Sequence, residues 1–188
     1  RDFVKQKIKE FQIEEFVSKN LNVGHSHTKM VRTPLGEKII VYASRPGLVV
    51  GREGQNIKKL TEQLKKKFHL NPQIEIAEVE NINLDARIVA ERIASSLERT
   101  SKFKGIGHKI MTEVIGAGGL GIEILISGKV PSARAKRWRF YSGYLKKDIA
   151  LVGVDKAYTI AKLKSGIVGI QVRIPPETQL PDTIKLTE

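Results

Sequence analysis

The sequence of 188 residues has no cysteine, few aromatic residues (6%) and no long apolar run. The lack of cysteine excludes a disulfide framework, a zinc ribbon and a thiol nucleophile. No apolar run approaches the roughly 20 residues that a membrane-spanning helix needs, and no signal-peptide pattern opens the chain. These absences predict a soluble, intracellular protein that has no membrane partner.

Acidic residues are also scarce relative to basic ones. The chain has 33 Lys and Arg residues against 20 Asp and Glu residues, which gives a formal net charge of +13. The excess is concentrated, because residues 99–147 contain 11 basic side chains and only Glu113 and Glu123 as acids. A charge this large is unusual for an enzyme that acts on small metabolites. It predicts a polyanionic partner, and nucleic acid is the first candidate.

Recognisable catalytic and cofactor-binding motifs are missing as well. No G-x-x-x-x-G-K-[ST] motif occurs, and the G-x-G-x-x-G at residues 116–121 follows a helical pattern and precedes a strand pattern. The reverse order is needed for a dinucleotide site, so we interpret these glycines as a helix C-cap and strand start. His25 and His27 lack a third ligand and are predicted to be exposed polar residues. We therefore expect no enzyme, cofactor, metal or small-molecule substrate.

The most informative motif is the G-x-x-G at Gly51-Arg52-Glu53-Gly54. Residues 37–43 before it are typical of a strand, Pro46 begins a short helical turn, and a helix pattern resumes at residue 57. A bare G-x-x-G also fits an ordinary helix–helix corner. In this context it indicates a KH module, in which glycines without Cβ atoms allow the backbone to approach the sugar-phosphate chain.

The first 80 residues fit one variant of that module. Helical spacing at 13–21 and a possible strand at 27–32 precede the motif, and polar–apolar alternation at 72–79 follows it. The predicted order is α, β, β, α, α, β. This order predicts a type II KH domain over residues 1–80.

Residues 81–188 are predicted to form a second α+β domain with an extended tail. Turn and N-cap residues mark the boundary near residues 80–84. Two helices are predicted, followed by strands that glycines and prolines delimit. The helices cover 85–99 and 106–115, and the strands cover 121–128, 136–145, 156–163 and 167–174. Two helices packed on a small, mostly antiparallel sheet is the expected architecture.

Several ordered segments resemble a known family over essentially the whole chain. They are Thr33–Gly36, Arg45–Gly54, Ile126–Lys129 with Arg134–Lys136, Phe140–Leu145, Gly166–Val172 and Leu180–Asp182. Together they resemble the third protein of the small ribosomal subunit in its archaeal and eukaryotic form. The resemblance implies a cytoplasmic, ribosome-bound protein of the subunit head, with ribosomal RNA (rRNA), mRNA and neighbouring ribosomal proteins as partners.

Two sets of residues are candidates for rRNA contact. The first surrounds the G-x-x-G loop and comprises Arg45, Gly51, Arg52, Glu53, Gly54, Lys58 and Lys59; the second comprises Arg134, Lys136, Arg137 and Arg139. Strand alternation places 137 and 139 on one face and 136, 138 and 140 on the other. Trp138 and Phe140 either stack on bases or pack into the core.

The resemblance implies a third set that lines the channel through which mRNA enters. The matching positions are Lys102, Lys104, His108 and Lys109. Bacterial relatives commonly have two adjacent arginines where this chain has Lys104-Gly105. Losing a guanidinium removes bidentate phosphate binding at that position.

Two other function classes fit parts of the sequence. A free-standing KH-type RNA-binding regulator would share the loop and the basic charge. A nucleic-acid lyase would need a lysine of depressed pKa, for which the sequence gives no indication. Co-sedimentation with small ribosomal subunits distinguishes the ribosomal protein from the regulator.

Overall fold

The computed structural model describes residues 1–21, 24–33, 36–51, 54–68, 72–100, 102–130, 132, 134–145 and 154–175. The chain divides into two compact units, Arg1–Glu80 and Asn81–Glu188. The candidate residues Arg52 and Glu53, and the Leu180–Asp182 segment, lie outside the described residues. Among the helices described, none is both long and apolar enough to cross a membrane.

The first unit has the predicted order of elements. They are α1 (Asp2–Asn20), β1 (His25–Thr33), β2 (Gly36–Ala43), α2 (Pro46–Val50), α3 (Gln55–Phe68) and β3 (Gln73–Glu78). The strands form a sheet in the order β1-β2-β3, in which β1 pairs antiparallel and β3 pairs parallel with β2. A parallel pair needs a crossover connection, and α2, the glycine loop and α3 provide it.

Alternate residues of β2 carry the core of this unit. Ile39 and Val41 are buried on one face of the strand and contact the apolar stripes of α1 and α3. The α3 stripe was predicted at residues 60, 64 and 68. Leu60 and Leu64 are buried, and the half-buried Phe68 ring meets Phe16 edge-on at a centroid distance of 6.0 Å. The prediction for this helix is therefore confirmed.

Helix α1 begins 11 residues before the predicted start at residue 13. Its second half buries Ile13 and Val17, whereas the first half exposes Phe3 and Phe11. Apolar residues that do not share one buried stripe give a weak periodic signal. The N-terminal half of the helix was missed for this reason.

His25 is buried, which corrects the prediction that both histidines of β1 are exposed. The ring has 0% exposure and its Nε2 lies 2.8 Å from Thr28 Oγ1. The pairing register with β2 shifts between His25 and Thr28, and such a bulge breaks the inward–outward alternation. His27 is exposed and stacks on Tyr42 at 4.2 Å. Within the described residues, no three His, Cys or carboxylate side chains are grouped to hold a metal.

The second unit packs two helices on an antiparallel sheet, as predicted. Its elements are α4 (Ala86–Arg99), α5 (Phe103–Gly116), β4 (Gly121–Gly128), β5 (Lys136–Gly143), β6 (Asp155–Leu163) and β7 (Gly166–Ile174). The strand order is β5-β4-β7-β6, and every neighbouring pair is antiparallel. Central strand β4 pairs with both β5 and β7. Its Ile122, Ile124 and Ile126 are fully buried in a core shared with α4 and α5.

Two aspartates hold the N-terminus of α4. The Asp85 side chain accepts hydrogen bonds from the backbone N–H groups of Arg87 and Ile88 at 2.9 and 3.0 Å. Asp155, at the start of β6, accepts from the N–H of Ala86 at 2.9 Å. The first N–H groups of a helix have no intrahelical acceptor. These carboxylates supply acceptors, and Asp155 also ties the last hairpin to the first helix of the unit.

The glycines at residues 116–121 join a helix to a strand. Gly116 is the last residue of α5 and Gly121 the first of β4, and Gly118 has φ +88°. A Cβ atom on Gly119 would lie 2.9 Å from the Val114 carbonyl oxygen. The interpretation as a helix C-cap and strand start is confirmed, since the segment opens no helix.

Replacing Asp85 by alanine is predicted to lower the free energy of unfolding by about 1 kcal/mol, because two backbone donors lose their acceptor. Asp85→Asn keeps a side-chain acceptor and should be nearly neutral. Urea denaturation followed by circular dichroism measures both. Equal losses in the two variants would show that the charge of Asp85, rather than its cap hydrogen bonds, stabilises the helix.

Candidate nucleic-acid interface

The G-x-x-G loop has a backbone conformation that requires glycine. Gly51 ends α2 with φ +72° and ψ −177°, a region that other residues hardly populate. Gly54 also has φ +72°. Pro46 occupies the first turn of α2, where its missing N–H costs nothing. A five-residue helix therefore ends abruptly, and the chain turns into α3.

The two glycines differ in their surroundings. A Cβ atom on Gly51 would lie 2.6 Å from Asn56 Nδ2, whereas one on Gly54 would meet nothing within 4 Å. Asn56 donates from Nδ2 to the Leu48 carbonyl at 3.3 Å and so links α3 to α2. Gly51 is thus required by backbone conformation and packing, and Gly54 leaves open space above the loop. Sequence reasoning gave Asn56 no role, because its partner lies eight residues away.

Basic side chains lie on both sides of this loop. Arg45, at the N-cap of α2, is exposed, and so are Lys58 and Lys59 in the first turns of α3. The first turn of α3 contains no acidic residue. The N-terminus of a helix adds partial positive charge to such a surface. Arg45, Lys58, Lys59 and the loop glycines form what we call the loop surface.

Strand β5 places Trp138 and Phe140 on the face opposite Arg137 and Arg139. Phe140 is buried and Trp138 is half-buried, and both rings pack against Phe103 of α5 at centroid distances of 6.5 and 5.1 Å. The Trp138 indole donates from Nε1 to the Val130 carbonyl at 3.2 Å. The rings are therefore core residues rather than stacking platforms for bases. The alternation predicted for this strand placed them correctly.

The opposite face of β5 is open and basic. Arg137 and Arg139 are exposed there, and Lys136 and Arg134, at and before the start of the strand, are exposed as well. The Arg139 guanidinium lies 5.1 Å from the centre of the Tyr141 ring. We call Arg134, Lys136, Arg137 and Arg139 the strand surface.

Glu123 is a neighbour of the strand surface that sequence reasoning left without a role. It lies on β4 opposite Tyr141, with only 6% of its side chain exposed. Its Oε1 is 2.6 Å from Arg139 Nε, and its Oε2 is 3.1 Å from Arg173 Nη1. A buried carboxylate is stable only when it is paired. Alternation along β4 was the available signal, since residues 122, 124 and 126 face the core.

The four candidates for mRNA contact lie at the start of α5 on two sides of the helix. Lys104 and His108 face β5, where Lys104 Nζ is 5.3 Å from the Trp138 ring centre and His108 meets Phe140 edge-on at 5.4 Å. Lys102 and Lys109 face the end of α4. Lys104 and His108 therefore lie on the aromatic face of β5, opposite Arg137 and Arg139, whereas Lys102 and Lys109 lie on the side of α4.

A basic groove lies between the end of α4 and the start of α5. Its volume is about 410 Å³ and it is lined by Ser96, Arg99, Thr100, Lys102, Gly105, Ile106 and Lys109. Gly105 leaves open space, because a Cβ atom there would meet nothing within 4 Å. Arg99 was not among the predicted site residues. Its place in the groove follows from the packing of α4 on α5, which the spacing of charges does not show. We call this the helix groove.

Comparisons with known proteins agree with this arrangement. Residues 7–84 match the KH domain family, and residues 93–174 match the family described as ribosomal protein S3, C-terminal domain. The small ribosomal subunit protein uS3 of Methanocaldococcus jannaschii is 44% identical, and the match covers 100% of this chain and 93% of that protein. The proteins of the same name from Methanococcus maripaludis strain C5 and Methanococcus aeolicus are 42% and 39% identical, over 99% and 100% of this chain and 90% and 93% of theirs.

The identity to the Methanocaldococcus jannaschii protein is 44% along the whole chain, and a KH unit is followed by an α+β unit in the expected order. These two findings establish that the chain and that protein belong to one family. This relationship agrees with the resemblance found in the sequence and with the lack of a catalytic motif. The chain belongs to the uS3 family of small ribosomal subunit proteins, a structural family rather than a family of enzymes.

Proposed function

We propose that this protein is a structural constituent of the head of the small ribosomal subunit in the cytoplasm. It binds rRNA through the loop surface and the strand surface, and it lines the channel through which mRNA enters with the start of α5. The observation that carries the proposal is the segregation of side chains in β5 and α5, where aromatic rings pack inward and cations point outward. Neighbouring ribosomal proteins are further partners, and the protein needs no cofactor or small-molecule substrate.

Contact with rRNA is expected to depend on backbone shape and phosphate charge. On the loop surface, Gly54 gives phosphates close access while Arg45, Lys58 and Lys59 supply charge. Arg52 and Glu53 at the tip complete the motif in the sequence. On the strand surface the Trp138 and Phe140 rings are packed inside and the exposed Tyr141 ring lies against the Arg139 guanidinium, so base stacking contributes little there. Such contacts fix the register of a protein on RNA without reading its sequence.

Contact with mRNA is assigned to the helix groove. A single strand that moves past the protein needs charge without tight base contacts, and the groove offers Lys102, Lys109 and Arg99 around the open position of Gly105. The bacterial arginine pair is absent from this helix. Arg99 supplies a guanidinium from α4 instead, so bidentate phosphate binding remains possible at this place.

The test of the general proposal is sedimentation of cell extract through a sucrose gradient. A structural constituent travels with small subunits in near-stoichiometric amounts and stays bound after a moderate salt wash. A free-standing KH-type regulator sediments mostly near the top of the gradient. That second outcome would overturn the ribosomal assignment while leaving RNA binding intact.

Replacing Gly54 by aspartate is predicted to weaken binding to a small-subunit rRNA transcript roughly fivefold, about 1 kcal/mol, because a carboxylate approaches a phosphate. Gly54→Asn has the same shape and tolerates positive φ equally well, so it controls for strain and size. Filter binding measures both affinities. Equal affinities of the two variants would show that the loop does not contact the RNA.

Gly51→Ala tests the structural half of the motif. It should lower the free energy of unfolding of the first unit by about 1–3 kcal/mol, because the position requires glycine and the new Cβ meets Asn56. Thermal melting of Gly51→Ala and Gly54→Ala should therefore differ, with the first variant melting lower. Identical melts would contradict the difference in packing between the two glycines.

Lys102→Ala/Lys109→Ala tests the helix groove. Two lost phosphate contacts should reduce the slope of log affinity against log salt for a single-stranded RNA by about 1.4, and reconstituted subunits should contain the variant at normal occupancy. Lys5→Ala/Lys9→Ala on α1 removes the same charge elsewhere and should leave the slope near the parent value. Failure to join the subunit would place these lysines against rRNA or a protein neighbour instead.

A further inference from the structure

The open face of the second sheet contains an ordered set of charges. Strand pairing places Tyr141 of β5, Glu123 of β4 and Arg173 of β7 in one row across three strands, and Arg139 lies in the next row. Glu123 is the buried member, and it bridges Arg139 and Arg173. Two guanidiniums surround one carboxylate, so the group keeps a net charge of about +1 at neutral pH.

The two arginines are held differently. Arg173 is only 28% exposed. With the Gln171 amide oriented to satisfy both its ends, the Gln171 oxygen accepts from Arg173 Nε and Nη2 at 2.9 and 2.8 Å. Glu123 takes the remaining nitrogen, Nη1, at 3.1 Å. All three nitrogens of Arg173 therefore face protein acceptors, and this residue fixes the carboxylate in place.

Arg139 is the outward member of the set. Its side chain is 53% exposed, its Nε forms the ion pair with Glu123 Oε1, and its guanidinium lies against the Tyr141 ring. Within the described residues, its two Nη nitrogens hydrogen-bond to no other side chain. A guanidinium held at Nε and supported on one face presents its Nη edge in a fixed direction. That edge is the one that binds two oxygens of a phosphate.

We infer that Glu123 and Tyr141 are positioning residues that fix Arg139 for bidentate binding of one RNA phosphate, with Arg173 and Gln171 anchoring Glu123. The inference rests on the proposed RNA-binding function of the strand surface and adds to it a specific phosphate site. Holding a long side chain before binding reduces the entropy lost on complex formation. Arg139 should therefore contribute more to affinity than an equally charged but unsupported residue.

Arg137 is the matched unsupported residue. It lies two positions away on the same face of β5, it is exposed, and it makes no ion pair within the described part of the chain. Both arginines add one charge near the same stretch of RNA. A difference between them therefore reports positioning rather than charge.

Glu123→Leu separates positioning from simple electrostatics by the sign of its effect. It removes an acid, so charge alone predicts tighter RNA binding and a steeper salt dependence. If Glu123 positions Arg139, the variant should bind a small-subunit rRNA transcript about two- to tenfold more weakly despite its higher net charge. Glu123→Gln keeps one acceptor oxygen for Arg139 and should lie between the parent and Glu123→Leu. Tighter binding by Glu123→Leu would overturn the inference.

The two single lysine variants provide a second measurement that does not depend on whether Glu123→Leu folds. Arg139→Lys keeps the charge but loses the planar fork, so it should weaken binding several-fold. Arg137→Lys should weaken binding by a smaller factor, because Arg137 lacks the ion pair that orients Arg139. In the Arg139→Lys background, Glu123→Leu should cause no further loss. Equal effects of Arg139→Lys and Arg137→Lys would overturn the positioning role. A further loss of affinity when Glu123→Leu is added to Arg139→Lys would overturn it as well. A parent protein that shows no salt-dependent rRNA binding would overturn the proposed function itself.

Discussion

The close approach of α5 to β5 determines where two of the three basic surfaces lie. Gly107 is buried, and a Cβ atom there would lie 3.0 Å from ring atoms of Phe140. A Cβ atom at this distance would push the Phe140 ring away, so glycine favours the close approach, and the Phe103, Trp138 and Phe140 rings fill the space around it. Because the helix rests directly on the strand, Lys104 reaches the Trp138 ring, while Lys102 and Lys109 are turned toward α4. The placement of cations is thus a result of core packing.

Periodicity in the sequence was sufficient for most of the fold. The stripe of α3 and the alternation of β5 reflect burial on one side, so their pattern repeats along the chain, and the apolar run of β4 reflects its central position between β5 and β7. The same property explains the errors. The first half of α1 has no single buried stripe, and the bulge in β1 reverses the orientation of His25. Local patterns cannot report either feature.

The candidate site was predictable in charge but not in structure. Residue type gave the basic candidates for rRNA contact, the family resemblance gave those for mRNA contact, and the glycine motif gave the loop. What remained hidden were residues whose partners are distant in sequence. Arg99 meets the start of α5 through helix packing, and Glu123 meets Arg173 through strand pairing. Tertiary contacts of this kind decide which cations are held in place, and a single sequence does not contain them as a pattern.

Among the strands that the structure describes, β5 lies at the edge of its sheet, and this position affects how separate copies of the protein can associate. An edge strand presents unpaired backbone groups that can pair with a strand of another molecule, and lysine or arginine side chains along the edge discourage this. Lys136, Arg137 and Arg139 occupy that edge. Identical strands carry the same positive charges, and their repulsion keeps free copies from joining into intermolecular sheets. A polyanion that neutralises these charges also covers the edge of the sheet. The cations of the proposed rRNA contact thus also disfavour pairing of β5 with a strand of another molecule.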